Sequence, residues 1–449
     1  GAVLDDPAAR DLRSTDFGRT VKRSPAVVVR PASTADVAAV VRYARGRSLP
    51  IATWGEGHSQ SGQCLTDGGI LLEMGALDQV LSIDDTALHA DCQAGLKWES
   101  LVRRTIPAGL VPPVLTNNLG VTIGGTVSVG GTGVASFRHG TQADNLLEIE
   151  AVTGGGDTIV CSETVNPGAW NALRAGLGQF GVITRLRLKL RRCRPRVRTY
   201  FLLYDDPGAL LRDSRQAIET DRFDYLESWA APCPQGFRWI GSIKEAFAAW
   251  FFPLHATVEF EAGSPPDDAA LLAGLSPYRR LHVEDQDLLQ FASRLEPLFT
   301  LWKRGGFWSL PHLWTETVLP WAPAEPFIAQ VLANLPPTTL VGGHVLIWPC
   351  RGTVSKVPMF VTPPAPMVVG FGVLPAVPPD LLPQAKARLN QLSELSIAAG
   401  GKRYLSGFIE FDRKRWKQHF GDRWDEVCRL KKTFDPDSIL NPGFIDYGA

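Results

Sequence analysis

The sequence predicts a two-lobed α+β protein, and three observations support this prediction. The chain has 449 residues, which is enough for two domains of ordinary size. Segments with helical periodicity mix with short apolar runs of strand character along the whole chain. A basic, proline-containing segment at residues 191–198 separates two such regions. We therefore place domain boundaries at 1–195, 196–403 and 404–449, and expect the last segment to return to the first domain.

The first domain is predicted to begin with a capped amphipathic helix and to continue mainly with strands. Ser33 stands at the N-cap position of this helix, which ends at Gly46. A second helix is expected at 98–106. Apolar or alternating runs predict strands at residues 49–53, 69–74, 87–94, 146–153 and 182–190.

The second domain is predicted to combine helices and strands, and a basic aromatic helix is expected at 413–432 in the returning segment. The predicted helices lie at residues 207–220, 267–272 and 381–398. The predicted strands lie at residues 224–229, 339–348 and 367–373.

Composition excludes several classes of function. The 46 basic and 46 acidic residues give no net charge, which argues against nucleic acid or an anionic membrane as the main partner. No run of eighteen apolar residues predicts a spanning helix. Seven cysteines without a Cys-x-x-Cys pair give no support for a metal or dithiol site. The chain starts without a basic-then-apolar leader, so we expect a soluble cytoplasmic protein, or a secreted one if a leader was removed. The oligomeric state stays open.

A glycine-rich turn at residues 53–63 is the most informative local motif. Gly55 and Gly57 let the backbone approach a ligand, and consecutive N–H groups in such a turn suit a pyrophosphate. His58 lies in its middle, with Ser59 and Gln63 beside it. Taken alone, this pattern also fits an ordinary turn with a solvated histidine.

Two further glycine-rich blocks follow. Residues 115–140 carry glycines along which a flat ligand could lie. Residues 176–181 match the dinucleotide pattern G-x-G-x-x-G, but that fingerprint must follow a strand and open a helix. Here a helical pattern precedes the block and a strand pattern follows it, so we reject a Rossmann interpretation.

These blocks, with the C-terminal Asn441-Pro-Gly segment, resemble the vanillyl-alcohol-oxidase class of flavoproteins, and more closely the cytokinin dehydrogenases. The resemblance is strongest in residues 25–190 and 400–445. It implies a PCMH-type FAD-binding domain made of 1–195 and 404–449. It also implies a substrate-binding α+β domain with an antiparallel sheet at 196–403.

The same resemblance implies FAD bound covalently through His58, a small-molecule substrate, and oxygen or another electron acceptor. The block at 112–119 lacks the cysteine that makes a second flavin bond in some relatives, so one bond is expected. Trp314 resembles the tryptophan of the family's His-Pro-Trp cavity segment and is assigned to the substrate, together with Phe408. The implied flavin contacts are Gly55, Gly57, His58, Ser59, Gln63, Thr116, Thr122, Gly124, Gly125, Gly178, Gly181, Val182, Ile183, Phe408 and Asn441.

Three positions depart from the family pattern. Asn117 stands at the position of the catalytic aspartate of the family motif Trp-Thr-Asp-Tyr-Leu. A carboxamide can hold a hydrogen bond but cannot accept a proton near neutral pH. Phe408 replaces a tyrosine that lines the flavin site, and Phe444 replaces a glutamine. Glu227 matches a family glutamate that enters the substrate cavity, although a glutamate on the surface of a strand would also fit its pattern.

The candidate catalytic residues are therefore Asn117 and Glu227. The leading hypothesis is an FAD-dependent oxidoreductase that takes a hydride from a C–N or C–O carbon of a small metabolite other than a cytokinin. Amine oxidation in secondary metabolism is one such role. A genuine cytokinin dehydrogenase is the first alternative, and a flavin- or ligand-binding protein without turnover is an alternative from another class.

Overall fold

The computed structural model describes residues 1–448, and two large hydrophobic clusters mark the two lobes of an α+β fold. One cluster is built mainly from residues 90–190 and from the C-terminal segment. The other lies within residues 200–408. The predicted fold class is confirmed. The α-helices are Pro7–Asp11, Thr34–Arg45, Trp98–Thr105, Ile123–Val127, Ser136–His139, Pro167–Leu173, Pro207–Glu219, Asp268–Leu272, Leu288–Ala292, Glu296–Arg304, Trp321–Ala333, Leu382–Ala398, Arg413–Phe420 and Trp424–Phe434.

The first lobe contains a small sheet with parallel pairing at its centre and a five-stranded antiparallel sheet. The strands of the small sheet lie in the order Ala2–Leu4, Val27–Arg30, Ile70–Glu73 and Ile51–Trp54. Those of the antiparallel sheet lie in the order Val80–Asp84, His89–Gln93, Val182–Lys189, Leu146–Val152 and Thr158–Cys161. A two-stranded ribbon pairs Leu110–Val111 with Arg191–Arg192.

The second lobe is organised by one eight-stranded sheet whose paired strands all run antiparallel. A sheet of this kind can present one face to a cavity while helices cover the other. Its strands lie in the order Arg279–Asp287, Arg196–Tyr204, Ile243–Phe260, Tyr225–Ile240, His344–Arg351, Met367–Leu374, Thr315–Pro320 and Lys402–Arg403.

Local patterns predicted several of these elements. The five helices expected at 33–46, 98–106, 207–220, 267–272 and 381–398 are confirmed. Ser33 caps the first of them, because its hydroxyl oxygen accepts a hydrogen bond from the Asp36 N–H at 3.1 Å. The strands expected in the first lobe are confirmed as well.

Three predictions about element bounds were wrong. The helix expected at 413–432 is divided, because Gly421 adopts a φ of 57° that a helix cannot continue through. The strand expected to start at 339 starts at His344, after a 3₁₀ turn and Gly342 at φ 78°. The strand expected at 224–229 continues to Ile240, since it forms a long hairpin with Ile243–Phe260.

A buried ion pair fixes the C-terminal segment against the first lobe. Lys431 Nζ donates to the Asp435 carboxylate at 2.7 Å and to the carbonyls of Gln179 and Leu440. The Asp435 carboxylate also accepts the Ile439 and Leu440 N–H groups. This arrangement holds the chain around residue 441 beside the glycine-rich turn at 176–181. No helix within residues 1–448 is both long and apolar enough to cross a membrane.

Candidate active site

A cavity of about 360 Å³ lies where the glycine-rich turns of the first lobe meet the eight-stranded sheet. The turn at 53–64, the segments 116–134 and 177–183, and Asn441 line its first-lobe side. Strand residues and several aromatic rings line the other side. The structure therefore brings together blocks that lie almost 400 residues apart in the sequence.

All but one of the predicted catalytic, flavin-binding and substrate-binding residues line this cavity. Those that do are Gly55, Gly57, His58, Ser59, Gln63, Thr116, Asn117, Thr122, Gly124, Gly125, Gly178, Gly181, Val182, Ile183, Glu227, Trp314 and Asn441. Phe408 is the exception and corrects the prediction, because its side chain belongs to the hydrophobic core of the second lobe. A turn at 405–407 interrupts the pairing with the strand Thr315–Pro320, and Tyr404 and Ser406 line the cavity while Phe408 does not.

His58 lies in a column of aromatic rings. Its imidazole stacks on Phe17 with ring centroids 4.1 Å apart, and Phe17 stacks in turn on His312 at 3.9 Å. Burial lowers the pKa of His58 to about 4, with a smaller contribution from the neighbouring His312. The imidazole is therefore neutral at physiological pH. Neither of its nitrogens has a hydrogen-bond partner among residues 1–448.

The side chains beside His58 hold the turn itself. The Ser59 hydroxyl donates to Asp16 at 2.8 Å, and Gln63 Oε1 accepts the N–H groups of Gln60 and Ser61. Burial raises the pKa of Asp16 to about 6. Ser59 and Gln63 thus line the cavity, but their hydrogen bonds serve to fix the backbone that carries His58.

Asn117 and Glu227 contact each other at the cavity wall, and Arg294 contacts both of them. Asn117 Nδ2 donates to Glu227 Oε1 at 3.0 Å, and Asn117 Oδ1 accepts from Arg294 Nη2 at 2.7 Å. Arg294 also donates to both oxygens of Glu227 at 2.9 Å. Burial raises the pKa of Glu227, but the charge and hydrogen bonds of Arg294 outweigh burial and hold the pKa below its usual range. Glu227 therefore lies in the cavity wall as one member of an ion pair.

Sequence patterns did not identify Arg294 or Glu316. Arg294 follows the short helix Leu288–Ala292 and belongs to no recognisable motif. Glu316 lies two residues after Trp314, and this spacing in a strand is the signal that could have assigned it to the cavity. The cavity also has walls formed by Phe299, Trp308, Trp348 and His344.

Comparison with known proteins agrees with this geometry. A family model described as an FAD binding domain matches residues 25–162. A second family model, described as cytokinin dehydrogenase 1, FAD and cytokinin binding, matches residues 270–445.

Individual relatives extend the match over nearly the whole chain. An uncharacterized oxidoreductase, ORF5 in the fasciation locus of Rhodococcoides fascians, is 33% identical over 96% of this chain and 95% of its own. Cytokinin dehydrogenase 4 of Oryza sativa subsp. japonica is 30% identical over 95% of this chain and 87% of its own. Cytokinin dehydrogenase 2 of Arabidopsis thaliana is 28% identical over 98% of this chain and 92% of its own. The chain therefore belongs to the cytokinin dehydrogenase family and is an FAD-dependent oxidoreductase that acts on a small molecule.

Proposed function

We propose that this enzyme oxidises a C–N or C–O carbon of a small organic substrate other than an N6-substituted adenine. The observation that carries the proposal is the hydrogen bonding of the Asn117 amide. Both ends of its amide are engaged, one by Glu227 and the other by Arg294. An amide accepts no proton near neutral pH, so this position cannot deprotonate the amine nitrogen of a cytokinin.

Glu227 does not replace the missing base in this proposal. Its carboxylate is paired with Arg294, and the lowered pKa that results makes it a weak proton acceptor. The proposal therefore assigns Glu227 and Arg294 to positioning Asn117 and the substrate.

We propose further that the FAD is attached through His58. The cavity fits the cofactor at two points. The neutral His58 imidazole at the cavity wall has two nitrogens without hydrogen-bond partners. At Gly178, an added Cβ would lie 3.4 and 3.8 Å from the nearest atoms, so the backbone there is open to the cavity. Bound FAD supplies the acceptor for the substrate hydride. Residues 55–63 and 176–181 would hold it, and its electrons would pass to oxygen or another acceptor.

Anaerobic reduction of the purified holoprotein tests the proposed reaction. The flavin should be bleached by members of a panel of amines and alcohols, and only slowly by isopentenyladenine. Rice cytokinin dehydrogenase 4, assayed in parallel, provides the reference rate for isopentenyladenine. Equal rates for the two enzymes would show that this is a genuine cytokinin dehydrogenase. Bleaching by no compound would favour a flavin-binding protein without turnover.

Covalent attachment gives a separate prediction. Denaturing the protein should leave yellow colour on the polypeptide, and His58→Ala should release all of it, because the nucleophilic nitrogen is lost. His312→Ala is the matched control, since His312 lies in the same ring column but does not line the cavity. Precipitation in acid followed by absorbance of pellet and supernatant makes the measurement. Colour that leaves the unmodified protein would contradict the assignment.

A further inference from the structure

Glu316 is directed into the cavity by the alternation of its strand. Side chains of a strand point alternately to its two faces, so Glu316 shares a face with Trp314, the residue just before the strand Thr315–Pro320. Both line the cavity, whereas Leu319 on the other face lies in the hydrophobic core. Gly372 pairs with Glu316 on the neighbouring strand, and a Cβ there would lie 3.0 Å from Glu316 Cγ. The sheet therefore leaves space for this particular side chain.

The Glu316 carboxylate is buried without a cationic partner. Only 7% of the residue is exposed, and Oε2 accepts one hydrogen bond, from the Ser406 hydroxyl at 3.0 Å. Arg403 is close, but its guanidinium donates to the carbonyls of Glu316 and Phe408 and to the Ser393 hydroxyl. No basic side chain within residues 1–448 forms an ion pair with this carboxylate.

The protonation behaviour of Glu316 differs from that of Glu227. Burial raises the pKa of Glu316 to about 7, against the smaller opposing effects of Ser406 and Arg403. Glu227 has the opposite shift because Arg294 faces it directly. A carboxylate that titrates near neutrality can hold a proton or release it under working conditions, which is the property of an effective general base.

Among residues 1–448, the other titratable groups that line the cavity are either neutral or paired, so Glu316 is the one whose charge has no partner. Burial lowers the pKa of His344 and of His58 to about 4, so both rings are neutral near pH 7. Burial raises the pKa of Tyr404 to about 12 and also raises the pKa of the Cys64 thiol, so both are neutral as well. Glu56, at the exposed end, pairs with Lys97 at 3.0 Å.

Aromatic rings complete the environment. Trp308, Trp314 and Trp348 line the same cavity as Glu316. The face of an aromatic ring attracts a cation, and a buried carboxylate without a partner does so more strongly. A cavity with this lining suits a substrate that carries an ammonium group on an apolar or aromatic body.

On the basis of the proposed function, we infer that Glu316 binds the nitrogen of an amine substrate and accepts its proton during oxidation. The C–H bond beside the nitrogen breaks, and its hydrogen leaves with the electron pair to the FAD. An N–H bond breaks, and its proton passes to a carboxylate oxygen of Glu316. A C=N bond forms, so the substrate loses two electrons and the flavin gains them. Glu316 thus takes the part that Asn117 cannot perform.

Binding of an amine that cannot be oxidised tests this inference without turnover. The probe is 2-phenylpropan-2-amine, which has no hydrogen on the carbon that bears nitrogen, and 2-phenylpropan-2-ol is its uncharged counterpart. Each is titrated into holoprotein while the flavin absorbance is followed. Glu316→Gln should weaken binding of the amine by about tenfold or more, as expected for a lost charge-assisted hydrogen bond. Binding of the alcohol should be unchanged. Glu163→Gln, which removes an exposed carboxylate, is the matched control and should change neither.

The pH dependence of amine binding provides a signature that a merely structural role would not give. Affinity should fall as the pH drops below about 7, because protonated Glu316 cannot pair with an ammonium group. Glu316→Gln should remove this loss of affinity at low pH. Ser406→Ala should move it to higher pH, since the Ser406 hydrogen bond lowers the pKa of Glu316. Asp16, whose pKa is about 6, does not line the cavity. A loss of amine affinity at low pH that persists in Glu316→Gln would therefore overturn the role assigned to Glu316.

The two proposals fail in different experiments. Equal amine affinity in the unmodified protein and in Glu316→Gln would overturn the role of Glu316 and leave the proposed oxidation intact. Failure of every amine and alcohol to bleach the flavin would overturn the proposed oxidation, whatever the binding data show. For an amine that does bleach the flavin, Glu316→Gln should slow anaerobic reduction by about 10²–10⁴. An unchanged rate would exclude Glu316 as the proton acceptor.

Discussion

Replacing Asn117 by aspartate is expected to raise the rate at which isopentenyladenine reduces the flavin by about 10²–10⁴, the usual contribution of one general base. The new carboxylate would keep the hydrogen bond from Arg294, which reaches Asn117 Oδ1 at 2.7 Å. It would lose the donor that now contacts Glu227 Oε1 at 3.0 Å and place two carboxylates side by side. Repulsion between them raises the pKa of the pair, which strengthens the pair as a proton acceptor.

Stopped-flow reduction without oxygen measures this effect. Asn334→Asp makes the same chemical change on an exposed residue and should leave the rate unaltered. If Asn117→Asp gains nothing, the shape of the cavity excludes adenine independently of the base. If Glu227→Gln abolishes reduction by the true substrate while Glu316→Gln leaves its rate unchanged, the proton acceptor is Glu227, and the assignment of that role to Glu316 is wrong.

Replacing Lys431 by methionine is expected to lower the free energy of unfolding by about 3–5 kcal/mol, because it leaves a buried charge without its partner. The Asp435 side chain is fully buried, with an exposed fraction of 0%, and that of Lys431 is 5% exposed. Methionine keeps most of the packing volume, so the effect reports the lost ammonium group. The segment around Asn441 should loosen with it, since Lys431 also binds the Leu440 carbonyl.

Urea unfolding followed by tryptophan fluorescence checks this prediction. Lys432→Met is the matched control, because Lys432 is the next residue and is exposed. Lys431→Met combined with Asp435→Asn should recover part of the lost stability, since the second change removes the unpaired charge. Equal stability of Lys431→Met and Lys432→Met would contradict the proposed importance of this ion pair.

The sequence by itself determined the features that depend on near neighbours. The helix Thr34–Arg45 follows from its periodicity and its Ser33 cap, and five of the first-lobe strands follow from short apolar or alternating runs. The glycine-rich blocks predicted the first-lobe wall of the cavity. Such signals are readable because residues a few positions apart fix them, through backbone conformation and side-chain spacing. The presence of Asn117 in place of the family's catalytic aspartate was likewise visible in the sequence, since the motif around it is continuous.

Only the tertiary structure decided how these parts meet. Arg294 reaches Asn117 across 177 positions of the chain, and no local pattern records that contact. Phe17 stacks on His58, and a turn after Tyr404 directs Phe408 into the core, where the family pattern had assigned it to the flavin. The absence of a partner for Glu316 among residues 1–448 is equally invisible in sequence. Charge pairing, burial and pKa depend on what surrounds a side chain in space, and these surroundings come from strands and turns far away in the chain.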